Sequence, residues 1–284
     1  MNTYWPNAPL HLELGSTRFD ITSRALVMGI LNRTNDSFFA PAATMAMDDF
    51  LRRAESLVEA GADLLDVGGV KAGPGAEVSE AEELERVVPA ISALRARFDL
   101  PLSVDTWRAS VAAACFEQGA SVGNDISGFA DPDYLRVAAA AGATVVATHI
   151  RLRPRVADPH PEYDDVTQTV RDFLIERRAW ALDAGVAAQR VIVDAGLDLG
   201  KTAGQSLQLL RDSSQLAELG PLLLSASNKT FLGVLLDLDV LQRREPSLSA
   251  AALGIVGGCR ILRVHDVAGS VRVRDVMSRL LEAA

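Results

Sequence analysis

Short apolar runs that end on polar residues recur along the chain, and a helical pattern follows most of them. The clearest unit spans residues 101–128, where one apolar run ends at Asp105, a helical run follows, and a second apolar run ends at Asn124. Two strands joined by a helix are typical of a parallel pair, because a short turn cannot bring the chain back to the start of a parallel neighbour. The pattern predicts eight such strands, at residues 25–31, 63–67, 102–104, 121–125, 144–148, 191–193, 222–225 and 261–264.

Apolar residues at helical spacing predict helices between these strands, at residues 47–60, 79–98, 133–141, 166–184 and 248–257. Ser79 and Glu82 have the spacing of a capping box at the start of one of them. Eight strand–helix units predict a TIM (β/α)8 barrel. The alternative is a doubly wound open sheet, which usually carries a glycine fingerprint after its first strand, and no such fingerprint follows Leu31.

Two segments lie outside this repeat. Residues 10–21 alternate polar and apolar around Gly15 and Ser16, which predicts an N-terminal β-hairpin that covers the bottom of the barrel. Residues 151–165 are polar and rich in proline, so we expect an exposed and mobile loop there. We interpret residues 1–284 as a single domain.

Composition excludes several classes of protein. A formal net charge of -9 argues against a nucleic-acid surface, which needs a basic stripe. Cys115 and Cys259 lack the spacing of a metal or redox pair, so we expect both to be buried apolar residues. The N-terminus lacks a basic segment followed by an apolar core, and no apolar run reaches about 18 residues. These features predict a cytoplasmic protein without a membrane partner.

Polar groups follow most of the predicted strands, and in a closed barrel they converge on one mouth. They are Asn32, Asp105, Asn124, His149, Asp194, Lys229, and the pair Arg263 and His265. Taken singly, an Asp after a strand is usually a helix cap, and a lone His is usually a core residue. Helix caps would not need carboxylates, carboxamides and basic groups together at one face, so the joint pattern favours a binding site.

The types of these residues indicate what the mouth binds. The carboxylates and carboxamide of Asp105, Asn124 and Asp194 suit a flat heterocycle that presents N–H donors beside ring acceptors, with Lys229 meeting a carbonyl or ring nitrogen. Arg263 and His265 suit an anion such as phosphate. The Asn32 oxygen suits Mg²⁺, which needs few protein ligands when phosphate oxygens supply others.

Seven segments in this order resemble the motifs of dihydropteroate synthases: MGILNRTNDSF, ADLLDVGGVKAGPG, SVDTWRA, NDISG, VIVDAGLDLGKT, SASNKTFLG and RVHDV. The resemblance covers residues of about 25 to 270 and implies a pterin-binding TIM barrel. It implies condensation of 6-hydroxymethyl-7,8-dihydropterin pyrophosphate with p-aminobenzoate to give dihydropteroate and pyrophosphate, in folate biosynthesis.

The resemblance also implies roles for residues. Asp105, Asn124, Asp194 and Lys229 match positions that hold the pterin, and Thr230 lies in the same substrate-binding motif. Arg263 and His265 match positions that serve the pyrophosphate, with Asn32 as the protein ligand of its Mg²⁺ cofactor. The reaction ionises a C–O bond, so Lys229, Arg263 and His265 are the expected catalytic residues, acting by electrostatic stabilisation. Members of the family are usually homodimers, and the apolar residues 248–255 are compatible with that.

The departures from the family pattern lie on the aryl amine side. Ala72 and Gly73 stand where the family has Thr and Arg, so a cation near the pyrophosphate is missing. Leu199 replaces an aromatic wall, and Asp198 is expected to add negative charge near the carboxylate of the amine. Asn35 replaces a proline, Asn228 replaces an arginine, and Thr148-His149-Ile150 replaces Met-His-Met. Arg33 and Lys71 are candidates to supply the lost charge.

These changes resemble a divergent second paralogue of actinomycetes and leave other functions open. One is a dihydropteroate synthase with full or weak activity. Another is a pterin-binding paralogue with little or no synthase activity, using another amine or none. A third is a pterin-dependent methyltransferase, which usually needs a cobalamin domain for which this chain has no room. The last is an unrelated barrel enzyme.

Overall fold

The apolar runs form a hairpin and a closed parallel barrel. The computed structural model describes residues 6, 9–33, 40–73 and 75–282. The strands of this part are β1 (His11–Leu14), β2 (Thr17–Asp20), β3 (Leu26–Asn32), β4 (Leu64–Gly68), β5 (Leu102–Asp105), β6 (Val122–Asp125), β7 (Thr144–Thr148), β8 (Val191–Asp194), β9 (Leu222–Leu224) and β10 (Cys259–Val264). Strands β1 and β2 pair antiparallel, and the other eight close in the order β10-β3-β4-β5-β6-β7-β8-β9. The predicted TIM barrel with an N-terminal hairpin is confirmed.

Helices surround the barrel. They are α1 (Ala40–Glu59), α2 (Glu80–Arg95), α3 (Ala109–Glu117), α4 (Tyr134–Ala140), α5 (Val166–Asp183), α6 (Ala203–Arg211), α7 (Ser213–Ala217), α8 (Thr230–Leu236), α9 (Arg244–Val256) and α10 (Val267–Glu282). The hydrophobic pattern finds α2, α4 and α5 closely, but it does not delimit α6, α7, α8 or α10. Ser79 caps α2, since its side chain accepts a hydrogen bond from the backbone N–H of Glu82 at 3.2 Å.

The hairpin closes the bottom of the barrel, as its position in the sequence predicts. Leu12 and Leu14 of β1 are buried in one cluster with side chains of the barrel interior, including Met28 and Ile192. Polar contacts hold the hairpin from outside, because Arg190 pairs with Glu13 at 3.0 Å and donates to the carbonyl of Gly15 at 2.9 Å. The apolar groups of the barrel therefore meet protein at this end, and the carboxyl ends of the strands are left for the site.

A larger apolar cluster fills the space between strands and helices. Both cysteines belong to it as expected, Cys115 on α3 and Cys259 at the start of β10. Burial raises the pKa of each thiol to about 12, so neither is a reactive thiolate at neutral pH. Among the described residues, no helix combines the length and the apolar character that a bilayer crossing requires.

Candidate active site

Most of the predicted polar residues meet at the carboxyl ends of the strands. Strand register pairs Asn32 with Gly68, Gly68 with Asp105, and Asp105 with Asn124. These four residues therefore lie at one level on four neighbouring strands, and Asp194 ends β8 at the same face. Parallel strands place their carboxyl ends together, which is why residues far apart in sequence converge here.

A buried ion network lies just inside this face. Its centre is Asp66 on β4, a fully buried carboxylate to which the sequence pattern assigns no role. Asp66 accepts hydrogen bonds from the Ser103 hydroxyl at 2.5 Å and from the Asn124 carboxamide at 3.2 Å. Arg263 bridges two carboxylates, because its Nε donates to Asp66 and a terminal nitrogen donates to Asp105, each at 2.6 Å.

The Arg263 guanidinium thus forms ion pairs with two acids, and these charges contribute to the pKa values of Asp105 and Arg263. Burial raises the pKa of Asp105 to about 7, an effect that Arg263 opposes and Asp66 increases. The pKa of Arg263 is raised, because Asp66 and Asp105 stabilise its charge by more than burial destabilises it. Arg263 therefore stays charged, and Asp105 is the group of this cluster that can take up a proton near neutral pH.

Asp194 and Lys229 form the opposite side of the mouth. Asp194 accepts a hydrogen bond from the backbone N–H of Gly196 at 2.8 Å, and Lys229 donates to the carbonyl of Leu197 at 3.0 Å. Burial raises the pKa of Asp194 and lowers that of Lys229, while the attraction between the two charges opposes both shifts. The β8–α6 loop (residues 195–202) therefore positions both groups through its backbone.

Asp198 in that loop does not have the role expected from the sequence. Its carboxylate accepts hydrogen bonds from the backbone N–H groups of Thr230 and Phe231, the first residues of α8. Backbone N–H groups at a helix start are good partners for a carboxylate. The carboxylate of Asp198 therefore stabilises the start of α8, and its expected effect on a substrate carboxylate stays a prediction. Thr230 itself is exposed at the mouth.

His265 lies beside Arg263 and is held in one orientation. Its backbone N–H donates to the Ser227 hydroxyl oxygen at 3.2 Å, and that oxygen lies 3.0 Å from the ring Nδ1. The hydroxyl, which already accepts one bond, can donate its proton to Nδ1, and this leaves Nε2–H as the free donor of the ring. Desolvation, and then the charges of Arg263 and Arg53, lower the pKa of His265. A neutral ring that donates from Nε2 suits a phosphate oxygen.

His149 has the structural role that a lone histidine usually has. It is buried, and its Nδ1 lies 2.9 Å from the ammonium nitrogen of Lys201. Lys201 also donates to the carbonyls of Gly196 and Leu199, at 2.8 and 3.0 Å. Burial lowers the pKa of His149 to about 2, so the ring is neutral and accepts from the lysine. The pair ties β7 to the β8–α6 loop.

The loops that follow β3 and β4 lie partly within the described residues. Arg33 donates its backbone N–H to Gly68 at 2.8 Å, and its guanidinium lies 5.3 Å from the centre of the Phe50 ring. Lys71 is exposed. Arg33 is therefore placed at the mouth as a candidate cation. The substitution at Asn35 lies outside the described residues.

The β7–α5 loop (residues 149–165) is mostly exposed, as expected, and several side-chain contacts fasten it to neighbouring loops. Arg151 and Asp158 form a two-bonded ion pair at 2.6 and 2.7 Å within the loop. Tyr163 donates to the carbonyl of Gly200 at 2.7 Å, and Arg155 donates to the carbonyl of Lys71 at 2.8 Å. The loop is thus fastened to both the β8–α6 loop and the β4–α2 loop (residues 69–79).

The molecule is similar to known proteins over almost its whole length. The family model described as "Pterin binding enzyme" matches residues 28–265. Among curated proteins, the dihydropteroate synthase of Synechocystis sp. is 39% identical, with 96% of each chain covered. The "Inactive dihydropteroate synthase 2" of Mycobacterium tuberculosis (strain H37Rv) is 41% identical over 90% of this chain and 83% of that protein. Similarity thus extends to synthases and to a protein named as inactive.

Solved structures agree with this. The Yersinia pestis dihydropteroate synthase in a sulfonamide drug complex superposes with a TM-score of 0.90 and 36% identity, covering 97% of this chain and 100% of that one. The Xanthomonas albilineans dihydropteroate synthase with 4-aminobenzoic acid superposes with a TM-score of 0.88 and 36% identity, covering 98% and 100%.

Proposed function

We propose that this protein condenses 6-hydroxymethyl-7,8-dihydropterin pyrophosphate with p-aminobenzoate. The chain belongs to the pterin-binding enzyme family, which includes the dihydropteroate synthases. The observation that carries the proposal is the set of polar groups gathered at the mouth, with Asp105, Asn124 and Asp194 beside two cations, Lys229 and Arg263. Acceptors and donors at one level suit the edge of a flat ring, and the cations suit the leaving pyrophosphate.

Four side chains are proposed to hold the pterin. The carboxylates of Asp105 and Asp194 accept from ring N–H groups, and the Asn124 carboxamide both donates and accepts. Lys229, held by Leu197, donates to a ring acceptor, and Thr230 borders the site at the start of α8. The buried salt bridges of Arg263 hold Asp105 in place before the ligand arrives, which lowers the cost of ordering the site.

Arg263 and His265 are proposed to bind the pyrophosphate. Arg263 is already paired with two acids, and it supplies its remaining N–H donors to the anion. His265 supplies the Nε2–H that its contact with Ser227 leaves free. Removing one such donor typically lowers the rate by roughly 10²-fold.

The residues at this edge fit a Mg²⁺ ion, which we propose as the cofactor. A Cβ placed on Gly68 would lie 3.6 Å from the Asn32 carboxamide oxygen and from a carboxylate oxygen of Asp105, so the glycine leaves open space beside the Asn32 oxygen. The Asp105 oxygen is already bound by Arg263. Mg²⁺ typically takes one or two protein oxygens and completes its shell with phosphate and water. When bound, the ion would neutralise charge on the pyrophosphate, with Asn32 as its protein ligand.

The reaction then needs stabilisation of charge more than proton transfer. The bond between the pterin methylene carbon and the pyrophosphate oxygen breaks, and its electron pair leaves with the pyrophosphate. Lys229, Arg263 and His265 stabilise the negative charge that develops there. The amine lone pair forms the new C–N bond, and the amine proton is lost to water.

The second candidate is a pterin-binding protein with little or no synthase activity. Ala72 and Gly73 carry no charge at the β4–α2 loop, where the family has a cation, and a Cβ placed on Gly73 would meet nothing within 4 Å. The likeness to an inactive mycobacterial protein points the same way.

Pyrophosphate release separates the two functions. Purified protein is given the pterin pyrophosphate and Mg²⁺, with and without p-aminobenzoate, and the Lys229→Met variant is compared with Arg272→Met on the exposed face of α10. We expect release that depends on p-aminobenzoate, lost in Lys229→Met and kept in Arg272→Met. Pterin binding in calorimetry without release would contradict the synthase and support the second candidate.

We also infer that the protein is a homodimer. Leu207 on α6 and Leu253 on α9 are 43% and 42% exposed and border one shallow apolar cavity. Exposed leucines on two packed helices favour an interface. Light scattering should give about twice the chain mass of 30.3 kDa. A monomeric mass would contradict the inference.

A further inference from the structure

Two charged side chains lie on the buried face of α2, where a helix normally presents apolar residues. Glu83 is 0% exposed and Arg86 is 2% exposed, and both lie among buried apolar neighbours such as Val87 and Ile91. A buried charge is costly unless it is paired, so each of these residues is expected to have a partner in the fold. Neither belongs to the groups proposed to bind the pterin or the pyrophosphate.

The partner of Glu83 is Arg108, which comes directly before α3. A terminal nitrogen of the Arg108 guanidinium donates to Oε2 of Glu83. Within the described ranges, Oε1 of Glu83 is buried without a hydrogen-bond donor, so the charge of this acid depends on Arg108. Arg108 lies three residues after Asp105, and the hydroxyl of Thr106, which is fully buried, accepts its backbone N–H at 3.3 Å. The ion pair therefore starts from the same turn as Asp105.

Arg108 and Arg86 hold the two ends of the β4–α2 loop. The second terminal nitrogen of Arg108 donates to the carbonyl of Val78 at 2.7 Å, at the end of the loop. A terminal nitrogen of Arg86 donates to the carbonyl of Gly69 at 2.7 Å, at the start of the loop. Both ends of the loop are therefore bound by guanidinium groups, and Glu83 joins one of these groups to α2.

This arrangement links the loop to the strand that carries Asp105. Strands β4 and β5 are neighbours, and Gly68 at the end of β4 lies opposite Asp105 in register. The loop itself carries Lys71, a candidate for the cation that the family has near the pyrophosphate. Arg108 therefore joins a turn on the pterin side of the mouth to a loop on the pyrophosphate side.

The chemistry of a buried ion pair suits this position. Such a pair contributes less to stability than its short distances suggest, because both charges lose their water. An apolar pair of similar size would fill the space without that cost, but it could not orient a backbone carbonyl, since it offers no donor. The planar fork of Arg108 reaches Glu83 and the Val78 carbonyl together. The pair is thus better suited to fixing a loop than to stabilising the fold.

We propose that Arg108 and Glu83 are positioning residues for the reaction, because their ion pair holds the β4–α2 loop in register with Asp105 so that the loop meets the pyrophosphate of a bound pterin. The proposal rests on the proposed synthase function. Neither residue contacts a substrate in this role. Asp105 has its own anchor in Arg263, so pterin binding does not depend on the pair, whereas turnover does.

Three variants and one control test this by urea unfolding, 6-hydroxymethylpterin titration and pyrophosphate release. Arg108→Met leaves Glu83 without its partner, so it should lower the urea midpoint, and it should lower kcat about 10-fold to 100-fold while pterin affinity changes less than about 2-fold. Glu83→Gln/Arg108→Met also removes the unpaired charge, so the midpoint should return towards wild type while kcat stays low. Arg108→Lys keeps the charge but lacks the fork, and its kcat should be intermediate. Arg97→Met breaks an exposed ion pair with Glu55 and should leave kcat unchanged.

Hydrogen exchange of the loop gives a measure that does not depend on turnover. Backbone amides of residues 69–73 and 75–79 should exchange about 10-fold faster in Glu83→Gln/Arg108→Met, as loss of a buried hydrogen bond predicts. Exchange in β1 and β2, at the opposite end of the barrel, should stay as in wild type. The double variant carries the test even where Arg108→Met alone does not fold.

The outcomes separate a positioning role from a purely structural one. Recovery of kcat together with stability in the double variant would show that the pair only supports the fold, and would overturn the proposal. Equal losses of pterin affinity and kcat in Arg108→Met, or wild-type exchange of the loop in the double variant, would overturn it as well. Faster loop exchange in the double variant, in a protein whose wild type releases no pyrophosphate, would support the hold on the loop and contradict the synthase function.

Discussion

Arg263 carries one positive charge between two buried acids, and this charge balance governs how the mouth titrates. Asp66 is fully enclosed and bonded to Ser103 and Asn124, so its environment is saturated. Asp105 lies nearer the opening and shares the same guanidinium. Burial, and then the nearby charge of Asp66, favour binding of one proton over the opposing charge of Arg263, and the raised pKa of Asp105, about 7, places that proton on Asp105.

Pterin binding should therefore depend on pH through Asp105. An ionised carboxylate is the better acceptor for ring N–H groups, so affinity should rise from pH 6 to pH 8, by up to about 10-fold per pH unit below the pKa. Calorimetry of 6-hydroxymethylpterin binding across this range is the measurement. Asp105→Asn should bind more weakly and lose the step, and a step that persists in this variant would assign the titration to another group.

The same shift has a defined sign for stability. Because burial raises the folded-state pKa of Asp105 above its ordinary value of 3.8, the folded state holds a proton that the unfolded state releases between about pH 4 and pH 7. The free energy of unfolding contributed by this group is therefore greatest at low pH and falls as pH rises through this window. Burial also raises the pKa values of Asp194 and Asp125. The difference in unfolding free energy between wild-type protein and Asp105→Asn, measured by urea unfolding at several pH values, isolates the contribution of Asp105 from theirs.

Single residues differ in how well the sequence reveals them. Asp105, Asn124 and Asp194 are found because each follows a strand, where a polar group breaks an apolar run. Asp66 is missed because it lies inside a strand, with apolar neighbours on both sides. Burying an acid within an apolar strand is costly unless the acid is paired, so the position of Asp66 indicates that it has a partner. The sequence does not identify that partner, because only the folded barrel brings Arg263 to Asp66.

At the scale of elements, one loop residue lies at a junction that supports both a helix and Lys229. Asp198 has a left-handed backbone, with φ of 65°, and its carboxylate binds the first N–H groups of α8. Lys229 lies immediately before α8 and donates back to Leu197. The β8–α6 loop and the start of α8 are therefore joined by two sets of hydrogen bonds, one to the Asp198 carboxylate and one from the Lys229 side chain.

Asp198→Ala should loosen this junction. It removes the carboxylate from the helix start and places alanine in a conformation that it adopts reluctantly, at a combined cost of about 1–3 kcal/mol. Asp198→Asn tolerates the backbone conformation and should lose less. Urea unfolding gives the stability change, and pterin titration reports whether Lys229 is displaced. An Asp198→Ala protein as stable as wild type would contradict the capping role.

The β7–α5 loop shows why loop order is hard to predict from composition. Its prolines and charges are typical of exposed segments, yet Arg155 and Tyr163 fasten it to neighbouring loops. The acceptors are backbone carbonyls of Lys71 and Gly200, and every residue has such a carbonyl. The sequence therefore identifies the donors but not their partners.

For the whole molecule, stability and chemistry lie at opposite ends of the barrel. The hairpin end is apolar, with Leu12 and Leu14 packed among interior side chains. The mouth instead contains buried charges whose pKa values are shifted by desolvation, including Asp105 and Asp194. The sequence predicts this division well, because strand order and polar strand ends are both local patterns. TIM barrels usually separate stability and chemistry in this way, which leaves the mouth free to change.

This division predicts that a substitution at the bottom of the barrel can lower the stability of the fold without lowering the affinity for the pterin. Leu14 is 1% exposed, so Leu14→Ala should leave a cavity and cost about 2–5 kcal/mol of unfolding free energy. Arg18→Ala, at an exposed position on β2 of the same hairpin, is the control and should change little. Urea unfolding and 6-hydroxymethylpterin titration are measured on the same samples, at a temperature where both variants are folded. We expect Leu14→Ala to shift the unfolding midpoint and to keep wild-type affinity, since Leu14 packs at the end of the barrel opposite the mouth. A parallel loss of affinity in folded Leu14→Ala protein would show that the two ends are coupled through the barrel interior.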